Sequence, residues 1–213
     1  MYRGLRLTLF HMSTSEQTRA GFVLAGGKSS RMGADKAFLE FGGRTLLNRA
    51  LAVTAAVCDR VTIVGDPSKF GSYGPVIADV FPGCGPLGGI HAALAQSTAD
   101  LNVMLAVDMP FVSAELLAFL FAAAEASNAV ITVPRVGKGL QPLCAVYRPD
   151  FAAVAEHVLR AGKYKIDAAF AGVSTCVVEE SELAASFPER SFFNVNTPQD
   201  WATAERRDRP DSQ

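Results

Sequence analysis

Apolar residues in the first half of the chain fall into short β-branched runs separated by stretches with helical spacing. The short runs predict strands over about 22–24, 61–64, 75–78 and 101–107, and the spaced stretches predict helices over about 45–57, 90–97 and from Ser113 on. Strands that alternate with helices pair in parallel through right-handed crossovers. The pattern therefore predicts an α/β protein with a layered, mostly parallel sheet.

The second half of the chain has a less regular pattern. Further strands are predicted over 129–134, 140–147 and 174–178, with a last extended piece over 192–196. Helices are predicted over about 149–160 and 165–171, and Thr197 followed by Pro198 marks the start of a final helix. We expect one domain over residues 20–206, an unstructured leader over 1–19 and a frayed tail over 207–213.

Composition narrows the class of protein. Hydrophobic residues make up 49% of the chain, which is enough for a sizeable core, and the net charge of −1 gives no global basic field for nucleic acid. No apolar run approaches the roughly 20 residues needed to cross a bilayer. The 4 cysteines are far apart and form no Cys-x-x-Cys pair, which is typical of incidental thiols in a reducing compartment. The sequence therefore predicts a cytoplasmic protein without nucleic-acid or membrane partners.

A glycine-rich loop with several cations follows the first strand, in the stretch from residue 22 to residue 36. Glycines let backbone N–H groups approach an anion closely, and nearby cations neutralise its oxygens, so the loop suits a polyphosphate. Gly-Lys-Ser at 27–29 matches the end of the Walker A loop, but that pattern needs a glycine where Phe22 stands. The spacing excludes a Walker A ATPase.

Two aspartates directly follow predicted strands. Asp79 comes after the strand near residue 76, and Asp108 ends the most apolar strand. Ligands of open α/β sheets bind beyond the carboxyl ends of the strands, so we expect both carboxylates beside the glycine loop. Asp108 is suited to hold Mg²⁺ between substrate phosphates, with a turn or helix cap as the alternative. Asp79 is suited to bond a base edge or a ribose, or else only to cap its turn.

The stretch Leu24-Ala-Gly-Gly-x-Ser-x-Arg-Met-Gly-x-Asp-Lys36 resembles the signature of nucleotidyltransferases that activate small phosphorylated compounds with an NTP. The resemblance is strongest to the molybdenum cofactor guanylyltransferases. Asp108-Met-Pro is similar to the Asp-x-Pro segment whose aspartate binds magnesium in that family, and Gly85-Pro-Leu-Gly-Gly89 is similar to its Gly-Pro-Leu-x-Gly turn.

Two further segments resemble the pterin side of the same family. Asn194-Val-Asn-Thr-Pro198 matches its Asn-x-Asn-Thr-Pro element, and Gln141-Pro142 stands where relatives often have His-Pro. On a strand, Asn194 and Asn196 would share one face, and amides offer both the donors and the acceptors that a pterin ring needs. The chain departs from the family at Val64-Gly65-Asp66, where relatives tend to carry a nucleotide-contacting asparagine; only Asp66 could replace that polar contact.

The resemblance implies a three-layer Rossmann-like nucleotidyltransferase that transfers GMP from GTP to the terminal phosphate of Mo-molybdopterin with Mg²⁺ as cofactor. The expected partners are GTP, Mo-molybdopterin and, transiently, other cofactor-biosynthesis proteins or molybdoenzymes. The expected site residues are Arg31, Lys36 and Asp108 for catalysis, Asp108 for the metal, Leu24, Ala25, Gly26, Gly27, Lys36, Asp79 and Asp108 for the nucleotide, and Gln141, Asn194 and Asn196 for the pterin. A cytidylyltransferase for the same cofactor, a nucleotidyltransferase for another small phosphorylated substrate and a non-catalytic nucleotide-binding protein are the alternatives.

Overall fold

A computed structural model of the protein describes residues 17–26 and 35–208. The strands are β1 (Arg19–Leu24), β2 (Glu40–Phe41), β3 (Arg44–Thr45), β4 (Arg60–Val64), β5 (Val76–Ile77), β6 (Leu101–Ala106), β7 (Ile131–Val136), β8 (Gly139–Leu140), β9 (Cys144–Tyr147) and β10 (Thr175–Val178). The helices are α1 (Leu46–Ala55), α2 (Pro67–Phe70), α3 (Pro86–Gln96), α4 (Ala114–Ser127), α5 (Phe151–Arg160), α6 (Ile166–Phe170), α7 (Glu180–Ala184) and α8 (Pro198–Asp208). Two short 3₁₀ helices cover Lys36–Phe38 and Glu189–Phe192.

The main sheet has the strand order β10-β7-β9-β6-β1-β4-β5, and β8 pairs with β7 outside this path. β1 lies at the centre of the parallel part, between β6 and β4, and β5 pairs in parallel with β4. β9 runs antiparallel between β6 and β7. The mostly parallel sheet predicted for the first half of the chain is therefore confirmed.

Helices cover both faces of this sheet, which gives three layers. Alternate residues of β1 point to opposite faces: Phe22 and Leu24 pack with α3 and α5, while Val23 packs with α1 and α4. β6 is buried along its whole length, as its nearly continuous apolar run predicts for a strand covered on both sides.

Gly21 brings α1 close to the central strand. A Cβ at this position would lie 2.0 Å from the Thr54 Cγ2 atom of α1, so only glycine fits the present packing. The Thr54 hydroxyl donates to the Ala50 carbonyl at 2.7 Å, which keeps its methyl group against the strand. The strand that leads into the glycine loop is thereby fixed against its covering helix.

Several element boundaries differ from the sequence prediction. The single strand predicted over 140–147 is divided into β8 and β9, because Gln141 accepts a hydrogen bond from Cys144 in a turn and Pro142 has no N–H to donate. Helix α3 begins at Pro86 instead of Ile90, with the proline in the first turn, where its missing N–H costs nothing. The short helix α7 and the Glu189–Phe192 turn were not predicted.

The extended piece predicted over 192–196 does not join the sheet. Within the described part of the chain, residues 193–196 belong to no strand or helix, and the Val195 N–H donates to the Asp108 carbonyl at 2.9 Å. At Thr197 the prediction is confirmed, since its hydroxyl accepts from the Asp200 N–H at the start of α8.

The structure describes a few residues beyond the predicted domain limits at both ends. Residues 1–16 of the predicted leader lie outside the described part of the chain. The last residues of that leader are ordered in the fold: Thr18 donates its N–H and its hydroxyl to Asp100, and Arg19 begins β1. At the other end, α8 extends to Asp208, two residues beyond the predicted limit of 206.

Among the helices of the described residues, none combines the length and the apolar character that a membrane span requires. All 4 cysteines are free.

Candidate active site

Four parallel strands end at the same level of the sheet. Leu24, the last residue of β1, lies opposite both Val64 of β4 and Ala106 of β6, and Val64 lies opposite Ile77 of β5. The chain turns directly after each of these strands. The glycine loop, Asp79 and Asp108 therefore emerge at one edge, where open α/β sheets bind their ligands.

A cavity of about 670 Å³ opens at this edge. Its volume lies in the range of roughly 300–1,000 Å³ that small-molecule sites occupy. The cavity is lined by Leu24, Ala25, Gly26, Asp35, Lys36, Val64, Gly65, Asp79, Gly83, Gly85, Pro86, Gly89, Ala106, Val107, Asp108 and Leu143. The structure thus brings together all the predicted nucleotide-binding residues that it describes. Gly27 and Arg31 fall in residues 27–34, outside the described part of the chain.

The wall at Gly26 is bare backbone. The N–H groups of Ala25 and Gly26 both donate to the Val64 carbonyl, at 3.0 and 3.2 Å. Among the described residues, a Cβ at Gly26 would approach no atom closer than 3.8 Å, and the φ of Gly26 lies outside the left-handed region. A glycine that the described packing and its own backbone conformation do not require is consistent with a surface that a ligand approaches closely.

Lys36 joins the two halves of the chain at the cavity. Its Nζ donates to the Asp108 Oδ2 atom at 3.2 Å and to the Asn196 Oδ1 atom at 2.6 Å. The side chains of Lys36 and Asp108 are only 17% and 20% exposed, so the pair is partly shielded from water. Asp35, just before Lys36, accepts from the Ala37 N–H at 3.1 Å and forms an ion pair with Lys69.

Asn196 is held in place by its own backbone. The Asp200 carboxylate accepts from the N–H groups of Asn196 and Thr197, at 3.0 and 2.8 Å. These hydrogen bonds, together with the charge of Lys36, hold the pKa of the Asp200 carboxyl below its ordinary value. The segment before α8 is therefore fixed against Asp108 and Lys36.

The other predicted pterin residues lie in different settings. Asn194 donates its side-chain amide to the Phe192 carbonyl at 3.1 Å, so the two asparagines do not share the face of a strand. Gln141 bonds through its backbone to Pro134 and Cys144, and Leu143, two residues further on, reaches the cavity wall. Asp66 caps α2 by accepting from Ser68 and is not among the lining residues of the cavity.

Asp79 lies against the first turn of α3. Its Oδ1 atom accepts from the Phe81 N–H at 2.9 Å, so the carboxylate both holds its turn and lines the cavity. Burial raises the pKa of Asp79 above its ordinary value, and the hydrogen bond from Phe81 opposes only part of that rise. A Cβ at Gly88 would lie 2.8 Å from the same Oδ1 atom, and one at Gly89 would lie 3.2 Å from a Leu24 methyl carbon. Gly88 is therefore needed for the close approach of α3 to Asp79, whereas Gly89 makes only a tight contact with Leu24.

The carboxylates of the cavity fit a metal that arrives with its substrate. Among the described residues, no cluster of three or more histidine, cysteine, aspartate or glutamate side chains could hold a metal ion. Asp108 is a single carboxylate at the cavity wall, and Mg²⁺ is commonly bound by one or two carboxylates together with substrate phosphates. The donor set fits this mode of binding.

Comparison with known proteins identifies the family of this architecture. The model of the MobA-like NTP transferase domain matches residues 21–173. The chain belongs to the MobA-like NTP transferase family. The predicted family resemblance is confirmed, and the protein is a nucleotidyltransferase.

Individual members of the MobA-like family match nearly the whole domain. The chain is 40% identical over 187 residues to a probable molybdenum cofactor guanylyltransferase of Pelotomaculum thermopropionicum, covering 86% of this chain and 90% of that protein. It is 33% identical over 182 residues to the molybdenum cofactor guanylyltransferase of Syntrophotalea carbinolica, covering 84% and 87%. The crystal structure of molybdopterin-guanine dinucleotide biosynthesis protein A from Archaeoglobus fulgidus superimposes with a TM-score of 0.79 at 29% identity, covering 88% of this chain and 97% of that chain. The predicted Rossmann-like nucleotidyltransferase fold is confirmed.

In this MobA-like chain, sequence reasoning missed two contacts of the site. The ion pair of Asp35 with Lys69 and the hydrogen bond of Lys36 with Asn196 join residues far apart in sequence, and no local pattern announces either. Asp200 is the third residue of α8 and was not predicted to contribute to the site. Its acceptance of two consecutive N–H groups is the form that a carboxylate at a helix start often takes.

Proposed function

We propose that this protein transfers GMP from GTP to the terminal phosphate of Mo-molybdopterin, forming the guanine dinucleotide cofactor and pyrophosphate. The observation that carries the proposal is the cavity at the strand ends, in which the bare backbone of Gly26, the ammonium of Lys36 and the carboxylate of Asp108 line the same space. Relatives named guanylyltransferases, aligned over nearly the whole domain, support guanine as the base and molybdopterin as the acceptor.

The chemistry asks the protein for alignment and charge neutralisation. A phosphate oxygen of the acceptor, already an anion at neutral pH, forms a bond to the α-phosphorus of GTP. The bond from that phosphorus to the β-phosphate oxygen breaks, and pyrophosphate leaves with the electron pair. No general base is required, so the protein contributes by holding the two phosphates in line.

Lys36 and Asp108 have complementary tasks at this centre. Lys36, with Arg31 as a predicted second cation, stabilises charge on the triphosphate and on the departing pyrophosphate. Asp108 would hold the divalent metal ion that such nucleotidyltransferases use, and we propose that this ion is Mg²⁺. When bound, the ion withdraws charge from the phosphate oxygens.

The remaining predicted residues divide between the two substrates. We assign the backbone of Leu24, Ala25 and Gly26, and from the sequence also Gly27, to the base and the nearby phosphates, and Asp79 to the base or ribose. Gln141, Asn194 and Asn196 are assigned to the pterin by the family resemblance. We further propose a cytoplasmic location, which the free cysteines support because thiols stay reduced in that compartment. We also propose transient contact with other cofactor-biosynthesis proteins or with molybdoenzymes.

The test is pyrophosphate release from each of the four ribonucleoside triphosphates, with Mg²⁺ present and with or without Mo-molybdopterin. We expect release from GTP only, and only when the pterin is present. Release from CTP with the pterin would identify a cytidylyltransferase, and release with a different phosphorylated acceptor would identify another nucleotidyltransferase. No release from any triphosphate, despite nucleotide binding, would leave a non-catalytic nucleotide-binding protein.

A further inference from the structure

We propose that Asn196 is a positioning residue for Lys36 and therefore acts on the GTP side of the reaction, in addition to any contact with the pterin. The inference rests on the proposed function, because it assumes that Lys36 meets the triphosphate.

The contact that carries the inference joins the two side chains directly. The Asn196 Oδ1 atom accepts from the Lys36 Nζ atom at 2.6 Å, which is shorter than the 3.2 Å between that nitrogen and the Asp108 carboxylate. An amide oxygen that accepts from an ammonium has one lone pair left at most for another donor, since it carries two in all. The side chain assigned to the pterin is thus already engaged with the cation of the nucleotide site.

The backbone of Asn196 is anchored well enough to aim this contact. Its N–H donates to Asp200, and the preceding residue, Val195, is fully buried and donates to the Asp108 carbonyl. A rigid support of this kind fixes where a flexible lysine head lies, and precise placement of a charged group is what phosphate transfer requires.

Asn196 also draws the Lys36 ammonium away from the Asp108 carboxylate. A carboxylate attracts an ammonium more strongly than an amide does. Without the amide, Lys36 is drawn toward Asp108 and competes there with the metal that accompanies the triphosphate. Loss of Asn196 should therefore weaken binding of GTP with Mg²⁺ even when no pterin is present.

Isothermal titration calorimetry of GTP in the presence of MgCl₂, without pterin, tests this inference. Four proteins form a double-mutant cycle: the parent, Asn196→Leu, Lys36→Met and the double variant. We expect Asn196→Leu to weaken GTP binding about tenfold, the effect of one lost hydrogen bond to a charged group. In the Lys36→Met background we expect Asn196→Leu to have no further effect, because the group through which it acts is gone.

Gln199→Leu is the matched control, since it changes an exposed amide on the first turn of α8. It should leave GTP affinity within about twofold of the parent, as is usual for surface substitutions. Asn196→Ala serves the same purpose as Asn196→Leu if the leucine variant melts early.

The outcomes separate the inference from the function on which it rests. Parent-like GTP affinity in Asn196→Leu, with affinity lost only for the pterin, would overturn the inference and leave the function standing. Equal losses from Asn196→Leu with and without Lys36 would also overturn it, because the asparagine would then act by another route. A parent protein that does not bind GTP would refute the proposed function, and the inference with it.

Discussion

Gly88→Ala is a small change with a large expected effect on the site. Gly88 is the third residue of α3, and its Cβ would lie 2.8 and 2.9 Å from the two Asp79 carboxylate oxygens and 3.0 Å from the Phe81 carbonyl oxygen. The Asp79 side chain could swing away, but the Phe81 carbonyl belongs to the backbone. The substitution therefore has to move the carboxylate, the turn that follows it, or both.

The magnitude follows from three terms. Crowding a packed position costs about 1–3 kcal/mol. Losing the hydrogen bond from Phe81 to Asp79 costs about 1 kcal/mol more, while alanine gains about 1 kcal/mol over glycine inside a helix. The net expectation is a loss of about 1–3 kcal/mol in the free energy of unfolding, or roughly 2–12 °C in Tm for a domain of this size.

The assay is thermal unfolding together with GTP titration. Gly89→Ala is the matched control for stability. Its Cβ would meet side-chain carbons of Leu24 and Val64, at 3.2 Å or more, which need to shift by only a few tenths of an ångström, so we expect its Tm to change by less than half as much. In an Asp79→Ala background, Gly88→Ala should cost clearly less, because two of the three close contacts are absent. A Gly88→Ala protein with the Tm and GTP affinity of the parent would refute the placement of Asp79 on the first turn of α3.

Three further predictions concern the central strand, the metal and the thiols. Gly21→Ala should lower Tm by several degrees, because the new Cβ would lie 2.0 Å from the Thr54 Cγ2 atom. Adding Thr54→Ser removes that methyl group and should restore most of the lost Tm. A double variant that melts no higher than Gly21→Ala would contradict this packing of α1 on β1. Asp108→Asn should lower guanylyl transfer by about a thousandfold or more, since a metal-bound charge is worth several kcal/mol, while the melting curve stays close to that of the parent. Near-normal turnover would remove Asp108 from the metal role. Burial raises the pKa of the half-buried Cys58 and of the fully buried Cys144 to about 12. Ellman's reagent at mildly alkaline pH should therefore label Cys84 and Cys176 first and Cys144 only after denaturation. Rapid labelling of Cys144 in the folded protein would contradict its burial.

The edge of the sheet where the cavity opens could be predicted from the sequence, because each strand pattern there is followed closely by a glycine or an aspartate. β6 is buried on both faces, so it appears as an almost continuous apolar run, and Asp108 follows it directly. The bend at Gly26 follows β1, and Asp79 follows β5, in the same way. Since parallel strands end on the same side, three separate local signals point to one place without any knowledge of the pairing register.

Local sequence patterns could not predict contacts between segments that are distant along the chain. Lys36 and Asn196 are 160 positions apart, and their hydrogen bond depends on how the segment before α8 folds back over Asp108. The period-two argument for Asn194 and Asn196 was wrong because that segment has no strand partner among the described residues; a side chain in a loop is placed by its own hydrogen bonds. Asp66 illustrates the same limit: the position next to Gly65 suggested a nucleotide contact, but the carboxylate caps α2 instead.

The most direct test of the account is a crystal structure of the protein with GTP and Mg²⁺. We expect the triphosphate in the cavity between Gly26 and Asp108, Lys36 against its phosphates, and the ion about 2.1 Å from an Asp108 carboxylate oxygen. GTP bound at another surface, or phosphates in this cavity with the ion far from Asp108, would contradict the central claim that the glycine bend and this carboxylate hold one nucleotide together.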